Sequence, residues 1–124
     1  MLNDLFMQND ILGTAMQASA VRNDVIANNI ANAEVPGYKR KDVQFETYLR
    51  EALDDAKKTG RLDLSKVRPV LVTEHAGYNY RIDGANVDIE QEMVDLYQNS
   101  VKYDTLAGSV INNYKRINLV STTR

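Results

Sequence analysis

The feature that most constrains this 124-residue chain is a heptad pattern in its C-terminal third. The pattern alternates steps of four and three residues, and Ser100 is its only polar member. Its members are Ile89, Met93, Leu96, Ser100, Tyr103, Ala107, Val110, Tyr114 and Ile117. Such a repeat is typical of a coiled coil or helix bundle. Asp88 and Gln91 have the spacing of a capping box, which predicts a helix start there. A helix from Asp88 to Leu119 would be about 48 Å long.

A second long amphipathic helix is predicted over about residues 4–33. Its apolar stripe follows helical spacing through Leu5, Leu12, Ala15, Met16, Ile26 and Ile30, widened by Ile11, Ala18 and Val25. The segment is rich in Asn, a poor helix former, so the helix is expected to depend on packing partners. Asn29 and Asn32 either face solvent or make hydrogen bonds that fix the helix end and register, and we favour the second interpretation.

The segment after this helix begins with a predicted turn. Pro36 and Gly37 suit the two central positions of a type II turn, which would direct the chain out of the bundle. Residues 38–43 are predicted to be extended, and their basic run Lys39-Arg40-Lys41 indicates a solvated patch. A short helix follows, with Phe45, Tyr48, Leu49, Ala52, Leu53 and Ala56 on one face and a stop at Thr59-Gly60.

Residues 61–85 predict a small β element. Residues 67–74 have the composition of a strand, although Pro69 confines that strand to an edge or a bulge. Tyr78, Tyr80 and Ile82 alternate with polar residues and predict a second strand, with a hairpin turn at residues 75–77. The predicted fold class is mainly α, with long N- and C-terminal helices forming a coiled-coil-like bundle and a short helix and small β-hairpin between them. We predict that the chain divides into three segments: 1–44, the N-terminal helix and turn; 45–85, a variable insertion; and 86–124, the C-terminal seam helix.

The residue types argue against an enzyme. The chain has no Cys, which excludes disulfides, thiol catalysis and Cys-ligated zinc. The single His, His75, is expected to be exposed in a loop, and no second His completes a metal site. The carboxylate pairs Asp54-Asp55 and Glu90/Glu92 indicate solvated helix faces and complements of the helix dipole. With no phosphate-binding glycine motif either, we predict no catalytic, cofactor-binding or metal-binding residue.

Charge and hydropathy narrow the class of partner. Fifteen basic residues stand against seventeen acidic ones, without the positive excess of a nucleic-acid-binding surface. No stretch approaches the roughly 18 apolar residues of a membrane span. The N-terminal residues lack the basic and apolar regions of a common secretory signal, so we expect any passage out of the cytoplasm to proceed without a cleaved signal peptide. No small-molecule substrate is predicted.

The tyrosines of the last helix leave two possibilities open. Tyr combines a ring with a hydroxyl and suits half-buried surfaces between subunits. Tyr97, Tyr103 and Tyr114 lie either in the core of the chain or at contacts between subunits.

One run of residues resembles a known family. Residues 27–39 read ANNIANAEVPGYK, which resembles the N-terminal signature of the bacterial flagellar axial proteins, about N-N-I-A-N-A-x-T-P-G-Y-K. Val35 stands where Thr is usual, so a hydrogen bond made by that hydroxyl is lost here. The positions that carry the motif are Asn29, Ile30, Ala31, Asn32, Pro36, Gly37 and Tyr38. Residues 86–93 and the seam helix after them resemble the C-terminal half of the family core.

The resemblance implies a structural role. The short middle segment and residues 38–45 resemble the proximal rod proteins of the flagellar basal body, with the sister rod proteins as alternatives. Family membership would imply that terminal helices of neighbouring subunits pack into a rigid tube that transmits torque and lines the export channel. It would also imply type III export without signal cleavage, to a rod that spans the periplasmic and cell-wall space.

The resemblance also implies partners. These are copies of the chain itself, other flagellar rod proteins, and the membrane-ring and export-gate junction proteins of the basal body. The residues expected to pack between subunits are Leu5, Leu12, Met16, Ile26, Ile30, Ile89, Met93, Leu96, Tyr103, Val110, Tyr114 and Ile117. A cytoplasmic helical adaptor that binds one partner helix remains the alternative from another class.

Overall fold

The computed structural model describes residues 2–74 and 82–122 of the chain. In order along them lie α1 (Leu2–Ala31), β1 (Lys41–Gln44), α2 (Glu46–Thr59), β2 (Val70–Thr73) and α3 (Ile89–Thr122). The predicted class is confirmed, because a long helix at each end encloses a short helix and a two-stranded antiparallel sheet. Within the described ranges, no helix is both long and apolar enough to cross a membrane.

The turn after α1 is the predicted one. The backbone N–H of Tyr38 donates to the carbonyl of Val35 at 3.2 Å, which closes a turn with Pro36 and Gly37 at its centre. Gly37 has φ +73°, the positive value that a type II turn requires at this position. The N–H of Gly37 also donates to the carbonyl of Asp83 at 3.0 Å, so this turn is tied to the loop that leads into α3.

The sheet joins two segments that lie on either side of α2. β1 pairs antiparallel with β2, with Lys41 opposite Thr73 and Gln44 opposite Val70. The predicted hairpin gave β2 a different partner, the strand from Tyr78 to Ile82. The turn and most of that strand, residues 75–81, lie outside the described residues. The described sheet is therefore a non-local pairing of the strand predicted at residues 67–74 with a segment that was predicted only to be extended.

α2 begins after Phe45 and ends at the predicted stop. Gly60 is left-handed, with φ 72°, and its N–H donates to the carbonyl of Ala56 at 2.8 Å. Phe45 is buried together with Ala18 of α1 and Val67 of the following loop. α2 is therefore held against the middle of α1 by a small apolar cluster, which positions the sheet beside the end of α1.

α3 begins at the predicted cap. The Asp88 carboxylate accepts hydrogen bonds from the backbone N–H groups of Glu90 at 3.0 Å and Gln91 at 3.2 Å. The reciprocal half of the capping box is absent, because the Gln91 side chain donates to Asp95 at 2.9 Å instead. An i,i+4 side-chain pair has therefore replaced the second bond of the box.

The two long helices run antiparallel. Hydrogen bonds of 3.0 Å join Asn29 to Glu92 at one end of the pair and Asn9 to Asn113 towards the other. The sequence left open whether the two helices are parallel or antiparallel, and these hydrogen bonds show that they are antiparallel.

The face of α3 that meets α1 differs from the predicted heptad by a rotation. The buried positions of α3 are Glu92, Asn99 and Asn113, which lie at heptad intervals and are all polar. Six members of the predicted seam are half-buried beside them: Leu96, Ser100, Tyr103, Ala107, Val110 and Ile117. Three others, Ile89, Met93 and Tyr114, are exposed. Asn side chains and the Ser19 carbonyl of α1 supply hydrogen-bond partners for the polar positions, so the helix turns these inwards and leaves apolar side chains outside.

Candidate functional site

The family motif forms a junction at the end of α1, and Asn29 is its centre. The side chain is fully buried. Its amide nitrogen donates to the carbonyl of Lys41 at 2.7 Å and to the Glu92 carboxylate at 3.0 Å. Its oxygen accepts from the N–H of Lys41 at 3.0 Å and from the hydroxyl of Tyr38 at 3.1 Å. Both donors and both acceptor sites of the amide are thus used, and α1, β1 and α3 meet at one side chain.

Arg40 occupies the other side of this junction. Its Nε donates to Glu92, whose side chain is 1% exposed. Its Nη1 donates to Glu74 at 3.0 Å, and its Nη2 donates to Asp95 at 3.4 Å. Burial disfavours the charged guanidinium, but the hydrogen bond to Glu92 and the surrounding carboxylates outweigh it and raise the pKa of Arg40. A buried carboxylate paired in this way keeps its charge compensated.

Backbone contacts tie the same junction to the chain before α3. The N–H of Arg40 donates to the Asn86 side chain at 2.6 Å, and the carbonyl of Arg40 accepts from the N–H of Glu74 at 2.9 Å. The ammonium of Lys39 donates to the carbonyl of Gly84 at 2.7 Å. The segment of residues 39–41 is therefore bonded on both sides and forms part of the packed structure.

The remaining polar motif residues act locally. Asn32 donates to the carbonyl and side chain of Asn28, at 2.7 and 3.1 Å, along the last turn of the helix. Burial raises the pKa of the Tyr38 hydroxyl, and the negative charge of Glu92 adds to this effect, so Tyr38 stays a neutral donor. The interpretation of Asn29 and Asn32 as hydrogen-bonded residues agrees with these contacts, although only Asn29 connects separate elements.

Two further polar layers lie along the pair of long helices. Asn99 is 5% exposed and donates to the carbonyl of Ser19 and to the side chain of Asn23, both at 2.7 Å. Asn113 is buried and donates to the side chain of Asn9. Polar layers of this kind fix the register of a helix pair, since a shift of one turn would leave each of them without partners.

These layers are incompletely satisfied. Among the described residues, the oxygen of Asn99 and the amide nitrogen of Asn9 are buried without a hydrogen-bond partner. An unpaired buried polar group costs about 1–3 kcal/mol. The contact between α1 and α3 is therefore specific in register but weaker than an apolar seam of the same length.

A charged cluster joins α2 to both long helices. The guanidinium of Arg22 donates to both oxygens of Glu46, at 2.7 Å each, and to the carbonyl of Val43 at 2.8 Å. Lys102 of α3 reaches the same carboxylate at 2.8 Å. The hydrogen bond from Arg22 holds the pKa of Glu46 far below its usual value.

The outward side of α3 divides into two flanks. One is polar and faces β1 and α2, through the pairs Asp95–Arg40 and Lys102–Glu46. The other, which we call the apolar flank, lies on the opposite side of the helix and carries Ile89, Met93, Val94, Tyr97, Val101 and Ile111. These side chains are 41–72% exposed. An exposed apolar surface of this kind is typical of an interaction site.

The residues predicted to pack between subunits fall into three groups. Ile26 is buried within the chain. Half-buried positions are Leu5, Leu12, Met16, Ile30, Leu96, Tyr103, Val110 and Ile117. Ile89, Met93 and Tyr114 are exposed. For Tyr97 and Tyr114, at 72% and 56% exposure, the core interpretation is wrong, whereas Tyr103 is half-buried.

Two sequence interpretations are corrected here. The basic run was predicted to be a solvated patch, but the side chain of Arg40 is only 17% exposed and its guanidinium is bonded to carboxylates. Glu92 was predicted to lie on a solvated face, but it is fully buried. A lone charged side chain is usually solvated. Arg40 and Glu92 are each other's partners, and they lie 52 residues apart in the sequence. The heptad spacing of Glu92, Asn99 and Asn113 was the available signal. Asp54 and Asp55 are exposed, as predicted.

The described residues offer little for chemistry. Over residues 2–74 and 82–122, no cluster of His, Asp and Glu could hold a metal ion, and His75 lies outside these ranges. An open cleft of about 300 Å³ is lined by Arg22, Arg40 and Lys102. Each of these three cations is already paired with a carboxylate. The arrangement serves packing between helices, and it defines the chain as a helical structural subunit.

Comparison with known proteins identifies the kind of subunit. Residues 10–39 match the family model described as flagella basal body rod protein. The chain is 30% identical to the flagellar basal body rod protein FlgB of Borrelia hermsii, over 96% of this chain and 98% of that protein. It is 30% identical to FlgB of Bacillus subtilis, over 90% of each, and 31% identical to FlgB of Escherichia coli, over 72% of this chain and 74% of the relative. The chain belongs to the FlgB family of flagellar basal body rod proteins.

Proposed function

We propose that this chain is a subunit of the proximal rod and polymerises through its terminal helices into a rigid tube. As a member of a structural rod family, it is located in the flagellar basal body and assembles with other flagellar components. The observation that supports polymerisation is the apolar flank, which exposes Met93 and Tyr97 although the buried residues of α3 are polar. Such a distribution suits a chain whose apolar surface is covered by neighbouring subunits.

The tube transmits torque because its subunits hold their helices in fixed register. The three polar layers of the helix pair, at Asn29, Asn99 and Asn113, support this part of the proposal. Each ties α1 to α3 at a different height and resists sliding of one helix along the other. The lumen of the same tube forms part of the export channel, and the chain carries out no catalysis.

The proposed partners are copies of this chain, other rod proteins, and the membrane-ring and export-gate junction proteins. The chain reaches the rod, in the periplasmic and cell-wall space, through the flagellar export apparatus without a cleaved signal peptide. The incompletely satisfied contact between α1 and α3 supports export in an unfolded form, because such a contact opens at low cost.

Deletion of the gene, followed by electron microscopy of isolated basal bodies, tests the proposal. We expect membrane rings without a rod, in non-motile cells. The rod and motility should both return when the gene is restored. Intact rods with normal swimming would refute the proposal and favour a cytoplasmic adaptor. A sister rod position is tested by immunolabelling, since a proximal subunit is expected beside the membrane ring and a distal subunit further out.

A further inference from the structure

The apolar flank of α3 is large enough to form an interface. Its six side chains, each 41–72% exposed, present together about 600 Å² of surface. A stable protein interface buries about 800 Å² on each partner, so the flank supplies most of one side of such a contact. Tyr97, the most exposed of the six at 72%, lies near its middle.

The second surface of such a contact cannot be the same flank on another copy. This step rests on the proposed function, in which all subunits of the tube point in one direction. Contacts in such an assembly are heterologous, so the flank of one subunit meets a different surface of the next. Two identical flanks facing each other would close a dimer and end growth.

The outward side of α1 has the matching shape. Between residues 13 and 31, six exposed residues recur at steps of four and three, and four of the six are Gly or Ala: Gly13, Gln17, Ala20, Asp24, Ala27 and Ala31. We call this the small-residue strip. Bulky side chains such as Tyr97 and Ile111 fit over such positions and let two helices approach closely. Gly13 has no atom within 4 Å of an added Cβ, so space above the strip is open.

The two surfaces also match in direction, and one pair of opposite charges meets at an end of the contact. α1 and α3 are antiparallel within one chain, so α3 is antiparallel to α1 of a neighbour that points the same way. An alignment that sets Tyr97 against Ala27 also sets Ile111 against Gly13 and brings Lys115 near Asp10. Opposite charges at one end of an interface favour a single register.

We propose that the apolar flank of α3 in each subunit packs on the small-residue strip of α1 in the next copy of the same chain. The repeated contact is head-to-tail, and it covers the apolar flank of every subunit except the one at the end of the row.

The absence of Cys from the natural chain makes cross-linking a direct test. Tyr97→Cys and Ala27→Cys are introduced together in the full chain, cells assemble flagella, and isolated basal bodies are treated with a short bis-maleimide. We expect a ladder of dimers, trimers and larger products, because each subunit then links on both sides. Each single variant is expected to stay monomeric. Gln98→Cys with Ala27→Cys is the matched control, since Gln98 is exposed on the polar flank, and it should give no ladder.

Three results would overturn the proposal. Dimers from Tyr97→Cys alone would mean that like flanks meet. A ladder from the Gln98 control would place the contact on the polar flank. No ladder from basal bodies that contain the double variant would mean that the apolar flank packs on a surface other than the small-residue strip. The pair Ile111→Cys and Gly13→Cys repeats the test further along the same two helices and should give the same ladder. Absence of the natural chain from basal bodies would instead refute the proposed function itself.

Discussion

Asn29 hydrogen-bonds both backbone groups of Lys41, donating to its carbonyl at 2.7 Å and accepting from its N–H at 3.0 Å. The amide side chain thereby takes the place of a neighbouring strand on the edge of β1. Because the same amide nitrogen also reaches Glu92, the end of α1 fixes the sheet and the start of α3 together.

Replacement of Asn29 by Ala is expected to lower the free energy of unfolding by about 3 kcal/mol, because both backbone groups of Lys41 and one oxygen of Glu92 lose a buried partner. Urea denaturation of the purified chain measures this. Asn32→Ala is the matched control, since the Asn32 side chain bonds to Asn28 one turn back, and it should change the free energy by less than about 0.5 kcal/mol. If the double variant Asn29→Ala, Asn32→Ala assembled and unfolded like the natural chain, this would contradict the role given to Asn29.

Arg40→Met is expected to destabilise the chain by about 3 kcal/mol, because it leaves the buried Glu92 charge with a single hydrogen-bond donor. The double variant Arg40→Met, Glu92→Leu removes both charges and should recover part of that loss. A double-mutant cycle on the purified chain gives the coupling energy. Purely additive losses would show that Arg40 and Glu92 are not coupled.

Gly37→Val is expected to destabilise the turn by about 1–2 kcal/mol, because a β-branched residue is strained at φ +73°. The cause is the backbone, since no atom lies within 4 Å of an added Cβ. Gly13→Ala provides the contrast. That position is helical and equally open, so the change should stabilise the chain by about 0.5–1 kcal/mol. Normal incorporation of Gly37→Val into rods, with unchanged stability, would argue against the turn.

Acid is expected to weaken the contact of α2 with both long helices. The pKa of Glu46 is depressed in the folded chain, so its contribution to stability is present above the unfolded pKa, about 4.3, and is lost as pH falls below it. Urea midpoints measured from pH 7 down to pH 3 should therefore fall less steeply for Glu46→Gln than for the natural chain. Glu51→Gln, an exposed change on the same helix, should retain the natural slope.

Val110→Asp is expected to abolish swimming, because it places a charge among the half-buried residues between α1 and α3. The central segment should remain folded, which limited proteolysis of the purified chain would show. Asn112→Asp adds the same charge at an exposed position two residues away and should swim normally. Leu96→Ala is a milder version of the first change. Normal motility of Val110→Asp would mean that this seam carries no packing energy in the rod.

The fold class and the ends of its elements could be read from the sequence because their signals are local. Asp88 caps α3, Gly60 stops α2, and Gly37 takes a positive φ in the turn, each through contacts within a few residues. The motif likewise indicated Asn29 as a hydrogen-bonded residue. The charged half of the junction was missed, because Arg40 resembles any solvated arginine until Glu92 is placed beside it.

By itself, the sequence determined that two long helices flank a small mixed segment and that α3 carries a heptad of apolar residues. Only the tertiary structure decided which face of that heptad turns inwards. Helical periodicity relates positions on one helix to each other, but it contains no information about the partner helix. Asn side chains and the Ser19 carbonyl of α1 pair with Glu92, Asn99 and Asn113, and this hydrogen bonding rotates α3 so that Met93 and Tyr97 face outwards.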